Sequence, residues 1–409
     1  MVQNSRMGFL KKMGLSDSEK SAFSLHLFYS LLDGFALGVL ALNEFVFIKS
    51  LKGSNYQLGF LFQFGIVVFC FLIVFNEILK RVHNKKKLLK ITALVTRGPL
   101  LLLLFFPSSA EKMAHPEFWH ALFLVLFFIY FSAYPVIVPL INVLLKNSYR
   151  HQVFGSLYSI SQMANKIVML VVTFLYGLLL DMDGFCFVWV LPLVGLGGIL
   201  SLWFLSRIEY TSPVMKKIQG GFWNSVGRSV KGMVTILRQN KPYLHFEIGF
   251  MIYGFAFMIS VTIITIYFYK ALNLNYSSVA FYKNIYNLLA IVLLPFFGRL
   301  IGKRDPRKFA VYTYASIMLF IVCLAFTQYF PAKFNIFGIT VYYWLLPYLL
   351  FQGIYAATMV LLWNIGSAYF CSSNEVNDYQ AIHMSLTGIR ALFAPTSGVV
   401  IYELFGFMA

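Results

Sequence analysis

Residues 56–87 read YQLGFLFQFGIVVFCFLIVFNEILKRVHNKKK, and this stretch decides what kind of molecule the chain can form. From Tyr56 to Leu79 it carries one charge, Glu77, close to the end of the run. A helix rising about 1.5 Å per residue needs roughly 20 mainly apolar residues to cross the hydrocarbon core of a bilayer. The cations that follow, Lys80, Arg81, Lys85, Lys86 and Lys87, stop such a helix at a membrane surface.

Working outward with the same ruler gives Phe23 to Ile48 before this span, and Leu88 to Phe106, Phe118 to Leu145, Val153 to Leu180 and Phe185 to Ser206 after it. Beyond a polar interval come Leu244 to Tyr269, Ser278 to Ile301, Phe309 to Phe330, Gly338 to Phe370 and Tyr379 to Phe405. That makes eleven spans, the tenth containing Pro347, where a kink or tilt is expected. Composition agrees: 59% of the 409 residues are hydrophobic and 12% charged, against roughly 25% charged in soluble domains.

The net charge of +18 does not indicate nucleic acid, because the cations cluster between apolar runs, as topology signals do. With the N-terminus cytoplasmic, 24 of the 33 Lys and Arg fall on that side, from Arg6, Lys11 and Lys12 through Arg307 and Lys308. Five fall opposite: Lys49, Lys52, Lys112, Lys270 and Lys333. An odd number of spans then puts the C-terminus outside. The expected address is a plasma membrane, the inner membrane of a bacterium. The N-terminal segment has no small-residue cleavage site, so no cleaved signal is expected.

Cys70, Cys186, Cys323 and Cys371 are widely separated, and the seven histidines show no ligand spacing, so neither a metal nor a cofactor is implied. Nucleotide-binding and hydrolase motifs are lacking, which argues against an enzyme. Asn275-Tyr-Ser277 fits a glycosylation pattern on an outer loop, a match that is common by chance.

The interval Ile208 to Pro242 divides the chain. In it Phe222, Val226, Val230, Met233 and Leu237 recur at helical spacing, with Arg228, Lys231 and Arg238 elsewhere, as in an amphipathic helix on the cytoplasmic membrane surface. The organisation read from sequence is a short segment over 1–22, a six-helix bundle over 23–207, a linker over 208–242 and a five-helix bundle over 243–409. The fold class is an all-α membrane protein of two pseudo-symmetric bundles.

The loops support a repeat. After span two stands Asn76-Glu77-Ile-Leu-Lys80-Arg81-Val-His83-Asn-Lys85-Lys86-Lys87; after span eight, Gly298-Arg-Leu-Ile-Gly302-Lys303-Arg-Asp305-Pro-Arg307-Lys308. The chain here resembles the major facilitator superfamily, whose basic loop has a glycine three residues before an acidic residue, then cations around a second glycine. Gly298 and the run Lys303 to Lys308 match, whereas Lys80, His83, Gly302 and Asp305 depart. Tyr149-Arg150-His-Gln-Val-Phe154-Gly155 is similar to a second family pattern. The resemblance implies alternating access and a twelfth helix that this chain does not reach. It also implies a conformational role for Glu77, Arg81, Gly298, Lys303 and Arg307, with Glu77 a candidate for the family's acidic residue but no one-for-one carry-over.

Charge at mid-bilayer costs about 2.5–3.5 kcal/mol on insertion scales, so intramembrane charges need a reason. Asp33 shares a face of span one with His26 and Ser30, flanked by Gly34 and Gly38 at helix-packing spacing. Lys166 lies mid-depth in span five on a stripe with Ser159, Gln162 and Thr173. Arg390 lies mid-depth in span eleven on a stripe with His383, Thr387 and Ser397. Spans five and eleven correspond under the repeat, so both cations are expected to face one space, suited to a carboxylate or phosphate. Lys283 and Asn287 are expected to widen it. Asp33, Glu247 and His383 are candidates for carrying a proton or balancing charge. The competing assignment pairs Lys166 or Arg390 with Asp33 or Glu247 to lock helices together. Arg97 is expected to bond backbone carbonyls or snorkel, and Glu44 and Glu77 to be solvated. The aromatic residues Tyr130, Tyr134, Tyr282, Tyr286, Tyr343 and Tyr348 suit packing or a pocket lining.

The expected activity is secondary transport of a small anionic organic solute, with proton coupling an option. The expected partners are that solute and membrane lipid, and a monomer suffices. Two rivals stand beside it: a non-transporting membrane receptor or scaffold of the same fold, and a flippase for a lipid-linked substrate.

Overall fold

A computed structural model of the chain describes residues 14–82, 84–109, 111–209, 221–371 and 375–408. Arg6, Lys11, Lys12 and His83 lie outside the described residues. Among those described, eleven helical segments are long and apolar enough to cross a membrane. They are Asp17–Lys49, Asn55–Leu79, Lys85–Phe105, Pro116–Ser148, Leu157–Met182, Phe187–Arg207, Lys241–Lys270, Tyr276–Ile301, Pro306–Tyr329, Leu345–Phe370 and Asp378–Phe405, spans one to eleven. The molecule is an all-α membrane protein.

Polar residues set the helix ends. Ser16 and Ser54 form capping boxes with Glu19 and Gln57 at the starts of spans one and two. Asn240 and Asn275 cap spans seven and eight. Asn275 also donates to the Gly338 carbonyl at 2.9 Å, so the Asn-Tyr-Ser match reflects a helix cap tied to a hairpin.

Spans one and five show why the glycine spacing matters. A Cβ on Gly34 would lie 2.5 Å from the Asn165 carbonyl oxygen, and one on Gly38 would lie 2.8 Å from that of Met169. The backbones therefore meet directly, and polar side chains use the proximity. Asn165 Nδ2 donates to the Ser30 carbonyl at 2.9 Å, and Thr173 Oγ1 to the Gly38 carbonyl at 3.0 Å.

Two expectations are corrected. Gly338 begins no span: Lys333–Ile336 (β1) and Ile339–Tyr342 (β2) pair as an antiparallel hairpin, and span ten starts at Leu345. Pro347 falls in the first turn of that helix, where its missing N–H costs nothing. The irregularity lies at the other end, where the α-helix passes into a π turn over Leu362–Gly366 and a 3₁₀ turn over Ser367–Phe370.

The linker contains a helix, Phe222–Gln239. Phe222 lies under the Arg81 guanidinium, 5.4 Å from its ring centre, and Arg81 donates to Ser225 Oγ at 3.4 Å. The helix also packs against spans seven and eleven, so it touches both halves.

Candidate functional site

The halves are joined by hydrogen bonds over the end of the molecule away from the linker. Asp181, at the end of span five, accepts from Tyr276 N and Ser277 N in the first turn of span eight. Lys49 donates to the Leu274 carbonyl at 3.2 Å, and Lys52 to the Tyr269 hydroxyl at 2.9 Å. Deeper in, Asn284 of span eight donates to the Leu170 carbonyl of span five at 2.8 Å. Gln63 joins span two to Leu392 and Thr396 of span eleven. The molecule is shut at one face and held there by polar contacts.

Below the Asn284–Leu170 contact spans five and eight differ. Lys166 is exposed, one turn from Leu170 on the face of span five that carries Gly177, against which Ala280 of span eight packs. Lys166 Nζ lies 3.8 Å from the Met169 sulfur, and among the described residues no carboxylate is within ion-pair distance. Asp33 is close enough to act on it electrostatically. Asp33 is oriented by Asn165 Nδ2 at 3.0 Å and also feels Arg97. Gln162 is half-buried one turn away from Lys166. Leu288 and Ile291 of span eight, one and two turns below Asn284, are 50% and 44% exposed.

Arg390 is placed differently. It is 1% exposed, donates to the Phe250 carbonyl at 2.7 Å and lies over the Phe250 ring. Gly254 provides its space, because a Cβ there would overlap the guanidinium. His383 Nδ1 is 2.9 Å from Glu247 Oε1, both essentially buried, and Glu247 acts electrostatically on Arg390. Among the described residues, Glu247 Oε2, His383 Nε2 and Arg390 Nε have no hydrogen-bond partner. Thr387 is buried and bonded to the His383 carbonyl within its own helix. Glu247, His383 and Arg390 thus form one charged column inside the second bundle, while Lys166 and Asp33 stand at the seam. Among the described residues no hydrogen bond or ion pair joins the two groups.

Lys283 and Asn287 belong to the seam's closed part. Lys283 Nζ donates to the Ala41 carbonyl and stands 3.9 Å from Glu44 Oε2. Asn287 donates to the Lys283 carbonyl at 2.7 Å. Glu44 is therefore paired across the halves rather than solvated. Glu77 is also paired: it is 3% exposed and bonded to Arg81 at 3.1 Å. Arg97 meets a backbone carbonyl, Tyr130 at 2.5 Å, but it does not snorkel. It is 5% exposed, 3.7 Å above the Tyr130 ring. In the second basic loop, Gly298 has open space around it, Lys303 N donates to the Leu300 carbonyl, and Arg307 pairs with Asp305 at 2.6 Å. That pairing holds the Asp305 carboxyl below its usual range.

Asn165 and Asp181 escaped the sequence reading. Asn165 sits beside Lys166 but on the face toward span one, and a stripe drawn through Lys166 passes it by. Asp181 looks like an ordinary charge ending a span, and only the fold brings span eight to it. A cavity of about 230 Å³ lies between the linker helix and the linker ends of spans two and eleven, lined by Asn76, Ser229, Met233, Ile236 and Asp378 among others. Among the described residues no cluster could hold a metal ion.

Comparison with known proteins places this geometry. The family model described as Major Facilitator Superfamily matches residues 23–395. Among solved structures, a mutant of the nucleoside transporter NupG superposes with TM-score 0.67 at 14% identity, covering 95% of this chain and 92% of that one. A bacterial homolog of the human lysosomal transporter Spinster, inward-facing and unoccupied, gives 0.65 at 11%, covering 96% and 84%. The xylose transporter XylE from E. coli, partially occluded and inward open, gives 0.61 at 13%, covering 96% and 92%. No curated protein matches the chain by sequence.

Proposed function

The chain belongs to the major facilitator superfamily of membrane transporters, and on that premise we propose that it moves a small anionic organic solute by alternating access, coupled to protons. The observation that carries the reading is Lys166: a partly exposed lysine within a membrane span, beside the contact between spans five and eight, with no ion-pair partner among the described residues. Such a cation is costly to keep in a membrane and attracts an anion. Asp33 beside it keeps the empty site near neutrality. A carboxylate or phosphate on the solute competes with Asp33 for the ammonium, and the exposed apolar side chains of Leu288 and Ile291 receive the rest of the solute. Gln162 is positioned to donate to the same anionic group.

Arg390 takes a supporting role in this reading, holding span seven to span eleven through the Phe250 carbonyl. Glu247 and His383 are the pair assigned to the proton, since a carboxylate and an imidazole at 2.9 Å can share one. The basic, linker-bearing face is cytoplasmic, so the shut face is external and this state is the inward one. Lys283–Glu44 and Asp181 act as its outer latch.

The test is solute-dependent thermal stabilisation of detergent-purified protein, followed by uptake in proteoliposomes, over a panel of organic anions, cations and neutral polar solutes. Anions are expected to stabilise the wild type, Lys166→Arg to retain part of the effect and Lys166→Ala to lose it. If Lys166→Ala is stabilised as strongly by the same anions, the anion site is wrong.

A second reading, a neutral polar solute, is favoured by the half-buried amide of Gln162 one turn from Lys166. Two of the solved transporters above, NupG and XylE, are described as nucleoside and xylose transporters. Stabilisation by neutral solutes that survives Lys166→Ala would select it.

A further inference from the structure

The linker helix Phe222–Gln239 carries more than a tether requires. Its surface divides into three lengthwise faces at helical spacing. One face, with Phe222, Ser225, Met233 and Ile236, packs on the protein. Beside it runs an apolar face with Trp223, Val230 and Val234, which are 73%, 44% and 42% exposed. The third is polar. Along its border with the apolar face lie Lys231 and Arg238, both exposed, and Lys241 follows the helix end. Among the described residues none of these three cations has an ion-pair or hydrogen-bond partner.

A large exposed indole and two exposed valines in line are unfavourable in water, and a helix free in the cytosol has no use for them. The order of the faces matters. An apolar face adjacent to the protein-bound face, with cations at its far edge, suits a helix wedged between a bundle and the bilayer surface beside it. The apolar face then enters the interfacial region while the long cationic side chains reach headgroup phosphates.

We propose that the linker helix is a docking site for anionic phospholipid of the inner leaflet. Trp223, Val230 and Val234 insert at the headgroup boundary, and Lys231, Arg238 and Lys241 hold the negative headgroups. Charge complementarity selects this occupant, because the exposed cations border the apolar face and the described part of the helix carries no acidic residue. The same helix contacts span two, span seven and span eleven, so lipid charge acts on an element shared by both bundles. This holds whatever the solute is.

The test uses full-length protein in nanodiscs of phosphatidylcholine alone or with about a third phosphatidylglycerol, a content that gives each nearby cation roughly fivefold of attraction. Amide deuterium exchange is followed over residues 222–239. Exchange is expected to slow several-fold with phosphatidylglycerol at low salt and to recover at high salt. The triple variant Lys231→Gln, Arg238→Gln, Lys241→Gln is expected to lose the lipid effect while keeping its exchange rates in phosphatidylcholine, since the protein-facing residues are untouched. Brominated phosphatidylglycerol is expected to quench tryptophan emission more in the wild type than in Trp223→Phe. Equal exchange in the two lipids overturns the proposal. So does quenching that Trp223→Phe leaves unchanged, and so does protection by soluble polyglutamate in neutral nanodiscs, which would mark a soluble acidic partner instead.

Discussion

Asp181 and Tyr276 are hydrogen bonded across the seam between the two bundles: the Asp181 carboxylate accepts the Tyr276 backbone N–H at 2.7 Å and, with its other oxygen, that of Ser277 at 2.8 Å. The first N–H groups of a helix have no partner within it, and here the opposite bundle supplies one. The attraction includes the positive end of the span-eight dipole. If the bundles rock apart at this face, both bonds must break together.

Asp181→Ala is therefore expected to favour opening at this face. Loss of a helix-capping side chain costs about 1 kcal/mol, roughly a fivefold shift in a two-state equilibrium. Spin labels on Asp183→Cys and Asn273→Cys, flanking the seam, would report it as a larger long-distance population in the variant. An unchanged distance distribution would remove Asp181 from the latch.

Lys283 and Glu44 make a second contact across the seam, of different character. Each is only partly exposed, and Lys283 also donates to the Ala41 carbonyl. Removing one partner leaves the other charge desolvated, whereas removing both leaves none. Glu44→Gln and Lys283→Met are each expected to lower the melting temperature in detergent. The double variant should fall short of the sum, with a coupling of about 1 kcal/mol for a partly exposed pair. Strict additivity would mean that the 3.9 Å approach carries no interaction.

How much of this was legible in the sequence follows from range. The spans and their sides come from length and charge within one segment, so Tyr56 to Leu79 and its basic tail sufficed. The glycine pair in span one announced a close neighbour but not which, and span five answered. Asp33 and Lys166 were visible as costly charges. That Arg390 turns inward onto Phe250 depends on Gly254, 136 residues earlier, and no stripe on one helix can reveal it. The hairpin was lost because Gly338 to Tyr343 is as apolar and aromatic as a span. Its turn needs left-handed backbone at Phe337 as well as Gly338, an uncommon choice for an aromatic.

Gly34 tests the packing argument directly. A Cβ at this position would press on the Asn165 backbone oxygen at 2.5 Å, and backbone cannot turn aside as a flexible side chain can. Gly34→Ala is expected to destabilise the first bundle by about 1–3 kcal/mol. It should also move Asn165 off Asp33, since Asn165 bonds both the Ser30 carbonyl and the Asp33 carboxylate. Gly197→Ala is the control, because its Cβ would make only ordinary contact with Phe35. Similar melting temperatures for the two variants would contradict the close approach of spans one and five.

The buried Glu247–His383 pair offers a test of whether coupling can be separated from transport. Glu247 and His383 bond each other, with no solute-facing surface at either side chain. A group that only carries a proton should be dispensable for exchange of solute for solute and indispensable for accumulation against a gradient. Glu247→Gln keeps the shape and an oxygen that can accept from His383, but removes the site that binds and releases the proton. In proteoliposomes carrying the solute identified by the stabilisation panel, the variant is expected to retain counterflow within a few-fold of wild type. Accumulation driven by an imposed pH difference should fall at least tenfold, about 1.4 kcal/mol of lost coupling. Loss of both activities would make the pair a structural lock of spans seven and eleven. Retention of both would move the proton to Asp33, where Asp33→Asn should then show the split.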